Sequence, residues 1–370
     1  MPKIKRLHFK DISALRFFAI IPIFLFFTAI LLKNEKNFYT IEIANLFKSL
    51  SINSFDFFFL LSSFLITSLA LREYKYRKVF SLKQFYARKL LRLLPLLLIA
   101  LLFLFYFHDK IVIFLKLSPL ETKSISYYLL GIPNYLSTAT NEKEAYTLAI
   151  WMVYMYLQFY LIWGIVLKHF KPFITYISIA FIFIGISSRI FHTLNGSEYL
   201  FDTLAYSVPI GFGALIANYN RNNSTLKDYF KTLSKTNIKF YYILGVICLF
   251  TLYPLLNQTI LSALIPVITS IFYIFIILEQ TFSKHSILKF RKGKVVTKLG
   301  ELSYGLLLFT PIIGTLIIIA FESLDRGTDS IFYKLIFVGL TFILTWIVSD
   351  VSYNSYEKIF KRIKRNLNKV

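Results

Sequence analysis

Cysteine is nearly missing from this chain: Cys248 is the only one in 370 residues, so no disulfide can form within it. Histidine is scarce as well. The five present, His8, His108, His169, His192 and His285, fall in no run with the Cys/His spacing of a zinc site. Charged residues make up only 16% of the chain, against about 25% in an ordinary soluble domain. Long polar stretches are missing too: Asn218 to Lys239 and Glu279 to Lys298 are the longest, and they read as loops. No internal repeat is visible, and the composition excludes collagen, coiled coil and disorder. Neither redox nor metal chemistry is advertised, and there is no soluble domain to house an enzyme outside a bundle.

Apolar and aromatic residues take the place of what is missing. The chain is 56% hydrophobic, with 40 Phe and 25 Tyr, and its mean hydropathy is +0.62. Apolar runs long enough to cross a bilayer, roughly 17 to 22 residues, are expected at Leu15–Leu32, Phe55–Leu71, Leu90–Phe107, Leu148–Leu167, Phe173–Ile190, Thr203–Ala217, Tyr241–Leu256, Ile260–Leu278, Ser303–Phe321 and Ile331–Val348. A shorter run, Ser126–Leu136, reads as a re-entrant or interfacial piece. The expectation is an all-α, polytopic membrane bundle of about ten helices, with residues 1–349 as a single transmembrane domain and 350–370 as a basic tail. No small-residue cleavage motif follows the first span, so it is expected to be retained.

The net charge of +23 would suit nucleic acid, but the placement of the charges argues for a membrane. With the N-terminus in the cytoplasm, 30 of the 42 Lys and Arg fall in cytoplasmic segments and 9 in outer ones, while Arg16, Arg92 and Arg189 lie in or at the edge of spans. That asymmetry puts both termini inside and gives the lipid bilayer, not nucleic acid, as the partner of the basic loops.

A charge within a span normally faces a cavity or a partner, and is a candidate functional group for that reason. Arg16 sits near the start of the first span and Asp56 opens the second. Arg88, Lys89 and Arg92 form a cationic cluster where the third span enters from the cytoplasm. Residues three and four apart share a helix face, so Arg92 lies beside both others. Such cations suit a phosphorylated cytoplasmic ligand; snorkelling anchors at the headgroups are the alternative.

The order of motifs adds a family. Leu15-Arg16-Phe17-Phe18-Ala19 is followed by Phe55-Asp56-Phe57-Phe58-Phe59-Leu60-Leu61-Ser62-Ser63-Phe64, then Phe85-Tyr86-x-Arg88-Lys89-x-x-Arg92-x-x-Pro95, and late in the chain Leu299-Gly300-Glu301-Leu302-Ser303-Tyr304-Gly305. In these blocks the chain resembles the acyltransferase-3 family of integral membrane O-acyltransferases. The resemblance implies a ten-helix layout and transfer of an acyl group from acyl-CoA to hydroxyls of envelope glycans, lipids or small molecules. It also implies Arg16, Arg88, Lys89 and Arg92 as the donor-binding cations, and acyl-CoA as a donor substrate rather than a tightly bound cofactor.

The chemistry of that family is not matched. The histidine expected eleven residues after the arginine is Phe27, followed by Thr28. In the W-S-L-x-x-E-x-x-F-Y motif Trp151, Phe159 and Tyr160 are in place, but the serine is Met152 and the glutamate is Tyr156. In the S-Y-G-x-Y-L-x-H motif Ser303, Tyr304, Gly305 and Leu308 match, whereas the tyrosine is Leu307 and the histidine Thr310. Ser13 and Ser63 replace a motif aspartate and glycine, and Tyr206 and Val208 an arginine-x-aspartate pair. Transfer to a hydroxyl needs a base and a means of steadying the oxyanion, and none of the five histidines replaces Phe27. No catalytic residue is retained at these positions, and Gln158, Ser303 and Tyr304 remain as a candidate polar site.

Three functions follow from this. The first is a catalytically degenerate member, a pseudoenzyme, that acts as partner or scaffold among other membrane or envelope proteins. The second is an active acyltransferase with displaced catalytic groups. The third is a transporter or flippase-like role for an envelope component, against which the scarcity of intramembrane charge argues. Richness in Ile, Lys, Asn and Phe suits a bacterial inner membrane.

Overall fold

The computed structural model describes residues 10–32, 41–107, 110, 125–135, 145–222, 225–257, 259–287, 289, 293–323 and 331–367. No strand occurs among them. The helices are α1 (Lys10–Leu31), α2 (Ile41–Arg77), α3 (Leu82–Leu102, continued by a π-turn at Phe103–Phe107), α4 (Ile125–Leu130), α5 (Ala145–His169), α6 (Ile174–Leu194), α7 (Ser207–Asn222), α8 (Thr225–Thr232), α9 (Lys235–Leu256), α10 (Ile265–Phe282), α11 (Lys294–Glu301), α12 (Ser303–Ser323) and α13 (Ile331–Leu367). An all-helical chain is what lipid demands, because an α-helix satisfies its backbone hydrogen bonds within itself.

Nine helices among the described residues are long and apolar enough to cross a membrane, where about ten spans were expected. The expected span at 203–217 differs. It is a 3₁₀ turn, Leu204–Tyr206, followed by the 16-residue α7. Ala205, Tyr206, Val208, Ile210, Ala214 and Ala217 are all buried, so protein covers much of this short helix. The run at Ser126–Leu136 yields the six-residue α4 and a turn at Gly131, whose φ is +78°; Leu136 lies outside the described residues. Helix α9 shows the opposite surface, with Phe240, Ile243, Leu244, Ile247, Phe250 and Leu255 exposed, an apolar face that a bilayer covers.

The chain divides into two compact units, each discontinuous in sequence. The first holds residues 1–19, 49–82 and 162–301. In it α2 and α7 approach backbone to backbone. A Cβ at Gly213 would meet the carbonyl oxygen of Leu60 and come within 3.0 Å of the Phe64 nitrogen. Ser63, which stands where the family motif has glycine, donates to the Ile210 carbonyl at 2.7 Å and so ties the same two helices. Trp163 Nε1 donates to Thr67 Oγ1 at 2.9 Å, fixing α5 to α2. Gly213→Ala is therefore expected to cost about 1–3 kcal/mol of stability through overpacking against backbone that cannot swing away, read as a lower thermal midpoint of the detergent-purified protein; an unchanged midpoint would refute it.

The second unit holds residues 20–48, 83–161 and 302–370. Phe24 of α1 meets Phe342 of α13 edge-on at 5.4 Å. The space a Cβ would take at Gly305 is occupied by Ser349, which brings α12 close to α13 in the manner of small-residue contacts between membrane helices.

Candidate functional site

In the second unit α3, α5 and α12 converge on a cluster of cations and tyrosines. The sequence from Leu82 winds as helix through Phe85, Leu93 and Leu97, which are buried and hold α3 against the unit. This rotation sets Lys89 and Arg92 toward α5 and α12. Lys89 Nζ lies 4.6 Å from the centre of the Tyr160 ring, and the Arg92 guanidinium carbon lies 4.7 Å from that of Tyr304. The two phenols share a hydrogen bond at 3.0 Å, so the four side chains form a continuous group. Tyr156 completes it, its ring 6.0 Å from both Tyr160 and Tyr304. Tyr86 of α3 donates to the Leu161 carbonyl at 2.7 Å and holds α3 to α5 one turn further along.

Exposure divides the group by role. Tyr156, Tyr160 and Tyr304 are buried, Lys89 is half-buried and Arg92 is exposed. An aromatic face under each cation fixes where the charge sits without neutralising it. Such cations suit phosphate oxygens. Arg88 is half-buried on the same turn of α3, and Arg16 is half-buried in α1, within the first unit.

The other expected positions fall out differently. Phe27 is 0% exposed and packs beside Phe26. Thr310 turns its hydroxyl back onto its own helix, donating to the Leu306 carbonyl at 2.6 Å. Gln158 faces away from Tyr304: its Nε2 donates at 2.8 Å both to the Gly131 carbonyl and to Asn134 Oδ1, and so pins the turn after α4. Ser303 Oγ is buried without a hydrogen-bond partner among the described residues. His8 and His108 lie outside the described residues.

The first unit contains a charge pair that sequence reasoning noted residue by residue but did not join. Arg189 Nη2 of α6 meets Asp56 Oδ1 of α2 at 2.6 Å, with each side chain 1% exposed. Arg189 Nε also donates to the Ala205 carbonyl at 2.9 Å, and its guanidinium lies 4.6 Å over the Tyr199 ring. Burial pushes the Tyr199 phenol well above its usual range, so it stays neutral under the cation. Tyr206, at the expected arginine position, stacks on Phe59 at 4.8 Å and donates to the Leu200 carbonyl at 3.1 Å. A buried pair with aromatic walls organises a bundle; on its own it does not perform group transfer.

No curated protein and no solved structure matches the chain. One protein family, described as an acyltransferase domain, matches residues 9–350, which takes in every one of the nine span candidates except the last residues of α13. Nine membrane-length helices among the described residues, the motif blocks around Asp56, Arg88 and Tyr304, and a match over nearly the whole chain together make this an integral membrane protein that belongs to the acyltransferase-3 family.

Proposed function

We propose that this protein engages a phosphate-bearing cytoplasmic ligand of the acyl-CoA class through Lys89 and Arg92, with Arg88 contributing, and that it has lost the histidine-dependent transfer of its family. In this reading the CoA site is non-catalytic and the protein is a partner or scaffold for other proteins of a bacterial inner membrane, with both termini and the basic segment 350–370 on the cytoplasmic side, and acyl-CoA comes and goes as a ligand. One observation carries the proposal: the cations rest on the Tyr160/Tyr304 platform, while Phe27, at the family's histidine position, is fully buried and the Thr310 hydroxyl is turned onto its own helix.

The test is calorimetric titration of acetyl-CoA and free CoA into the detergent-purified protein, alongside an assay for CoA release. Binding is expected, without turnover. Arg92→Ala is expected to weaken it about tenfold to a hundredfold, the scale of one hydrogen bond to a charged group. Absence of binding at millimolar ligand would sink the donor-site part, and steady CoA release would sink the non-catalytic part.

Ser303 gives a reason to keep a second reading, an active transferase with displaced groups, because its buried hydroxyl has no hydrogen-bond partner among the described residues and adjoins Tyr304. That reading requires CoA release that disappears in Ser303→Ala.

A further inference from the structure

Helix α6 starts beside Lys171 and ends, 21 residues on, in a turn whose geometry brings three side chains into line. Gly196 takes a left-handed conformation, φ +62°, where an L side chain would be strained. Its N–H donates to the Thr193 carbonyl at 3.3 Å, and the Ser197 N–H donates to the His192 carbonyl at 3.0 Å. This is a Schellman turn, and it folds the second residue past the helix back over the last turn. The pair it brings together is usually apolar. Here it is Ser197 and His192.

The imidazole bridges two oxygens. His192 Nδ1 lies 2.8 Å from Ser197 Oγ, and Nε2 lies 3.2 Å from Asp202 Oδ2. Asp202 is itself held: its Oδ1 accepts the Leu204 N–H at 2.9 Å, and Ser188 Oγ donates to its Oδ2. Asp202 is buried, His192 is 12% exposed in its side chain, and Ser197 is exposed. The turn needs only its two backbone bonds, and it makes them, so the side-chain relay is additional to the cap.

With the ring proton on Nε2 directed at the carboxylate, the Nδ1 lone pair faces the Ser197 hydroxyl. That is the nucleophile, base and orienting acid arrangement of covalent acyl transfer. We propose that Ser197, His192 and Asp202 form an acyl-capturing site at the end of α6 remote from Lys171, which the positive-inside reading puts on the outer face, and that it takes its acyl group from an activated oxygen or sulfur ester. Ser197 Oγ bonds to the acyl carbon as its proton passes to His192 Nδ1. The bond from that carbon to the leaving oxygen or sulfur breaks, and His192 returns the proton to the leaving alcohol or thiol. Water or an acceptor hydroxyl then attacks the Ser197 ester, giving its proton to His192, and the acyl group departs as Ser197 regains a proton.

The amides of Asn195, Gly196 and Ser197 already donate to α6 carbonyls. A tetrahedral oxyanion would therefore not find the nucleophile's own N–H, the usual donor. This restricts the site to esters with good leaving groups and excludes amides. The proposal uses none of the residues of the CoA site, and Ser197→Ala separates the two: CoA release that the variant loses belongs to this site, whereas release that survives it counts against the non-catalytic reading of the CoA site.

The test treats the full-length protein in detergent micelles with a fluorescent fluorophosphonate, maps the labelled peptide, and follows p-nitrophenyl acetate in parallel. Labelling is expected at Ser197, the hydroxyl that faces the imidazole. Ser197→Ala should abolish it, and His192→Phe should slow it at least about a hundredfold. Asp202→Asn should slow it and Asp202→Glu should recover part of the rate, because orienting the imidazole for proton transfer needs a carboxylate; a residue that only braced the turn by hydrogen bonds would be replaced as well by Asn. Elution of each variant at the wild-type position in gel filtration separates chemistry from misfolding. Labelling that maps elsewhere, no labelling of the wild type, or an unchanged rate in correctly folded His192→Phe would overturn the proposal.

Discussion

Arg189→Met is expected to lower the free energy of unfolding by about 3–5 kcal/mol, the cost of leaving one member of a buried ion pair alone. Arg189 and Asp56 are each 1% exposed, so the carboxylate left behind would find no water. The substitution also removes the donor to the Ala205 carbonyl and the cation over Tyr199, which join α6 to the start of α7. The double variant Asp56→Leu/Arg189→Met removes both charges and should recover most of the loss, because a well-packed apolar pair is often as stable as the ion pair it replaces. Thermal unfolding of the three proteins in one detergent checks this. Equal midpoints for wild type and Arg189→Met would show that the pair contributes nothing.

Phe27→Ala is expected to be about as damaging, about 3–5 kcal/mol for the loss of a fully buried aromatic ring. The effect should appear in protein level and thermal midpoint, not in a chemical step. Phe27→His, which restores the family residue, should also destabilise, by about 1–3 kcal/mol, since the imidazole enters a site packed for a phenyl ring. Neither variant should acquire or lose CoA turnover. A selective fall in acyl transfer by Phe27→Ala, with protein level and assembly intact, would mean that the position still serves the reaction.

The sequence made the class of fold legible because lipid imposes a length and a composition on each helix, and residues such as those of Leu90–Phe107 satisfy both. At Thr203–Ala217 the same criterion left the surroundings open. Ala205, Val208 and Ala217 are apolar either way, and nothing in a local window tells a neighbour made of protein from one made of lipid. Local spacing likewise placed Arg88, Lys89 and Arg92 on one turn but was silent on Tyr160 and Tyr304, which are 144 residues apart and meet only through helix packing. Asp56 and Arg189, 133 residues apart, were each visible as costly charges, but the register that joins them was not. His192, Ser197 and Asp202 were close in sequence all along. What hid them was the glycine between: a left-handed Gly196 decides whether Ser197 runs on past the helix or folds back over it.

Helix α13 has a mechanical consequence. Its 37 residues rise about 55 Å, while the hydrocarbon layer is about 30 Å thick. With the rod along the bilayer normal almost half of it stands outside the oil, a share that tilting reduces, and it is unbroken from Ile331 to Leu367. Rotation of the intramembrane half by a few degrees would be carried along the rod as a lever. A fluorophore attached near Leu367 would thus act as a pointer, translating small shifts of α13 into displacements several times larger beyond the headgroups.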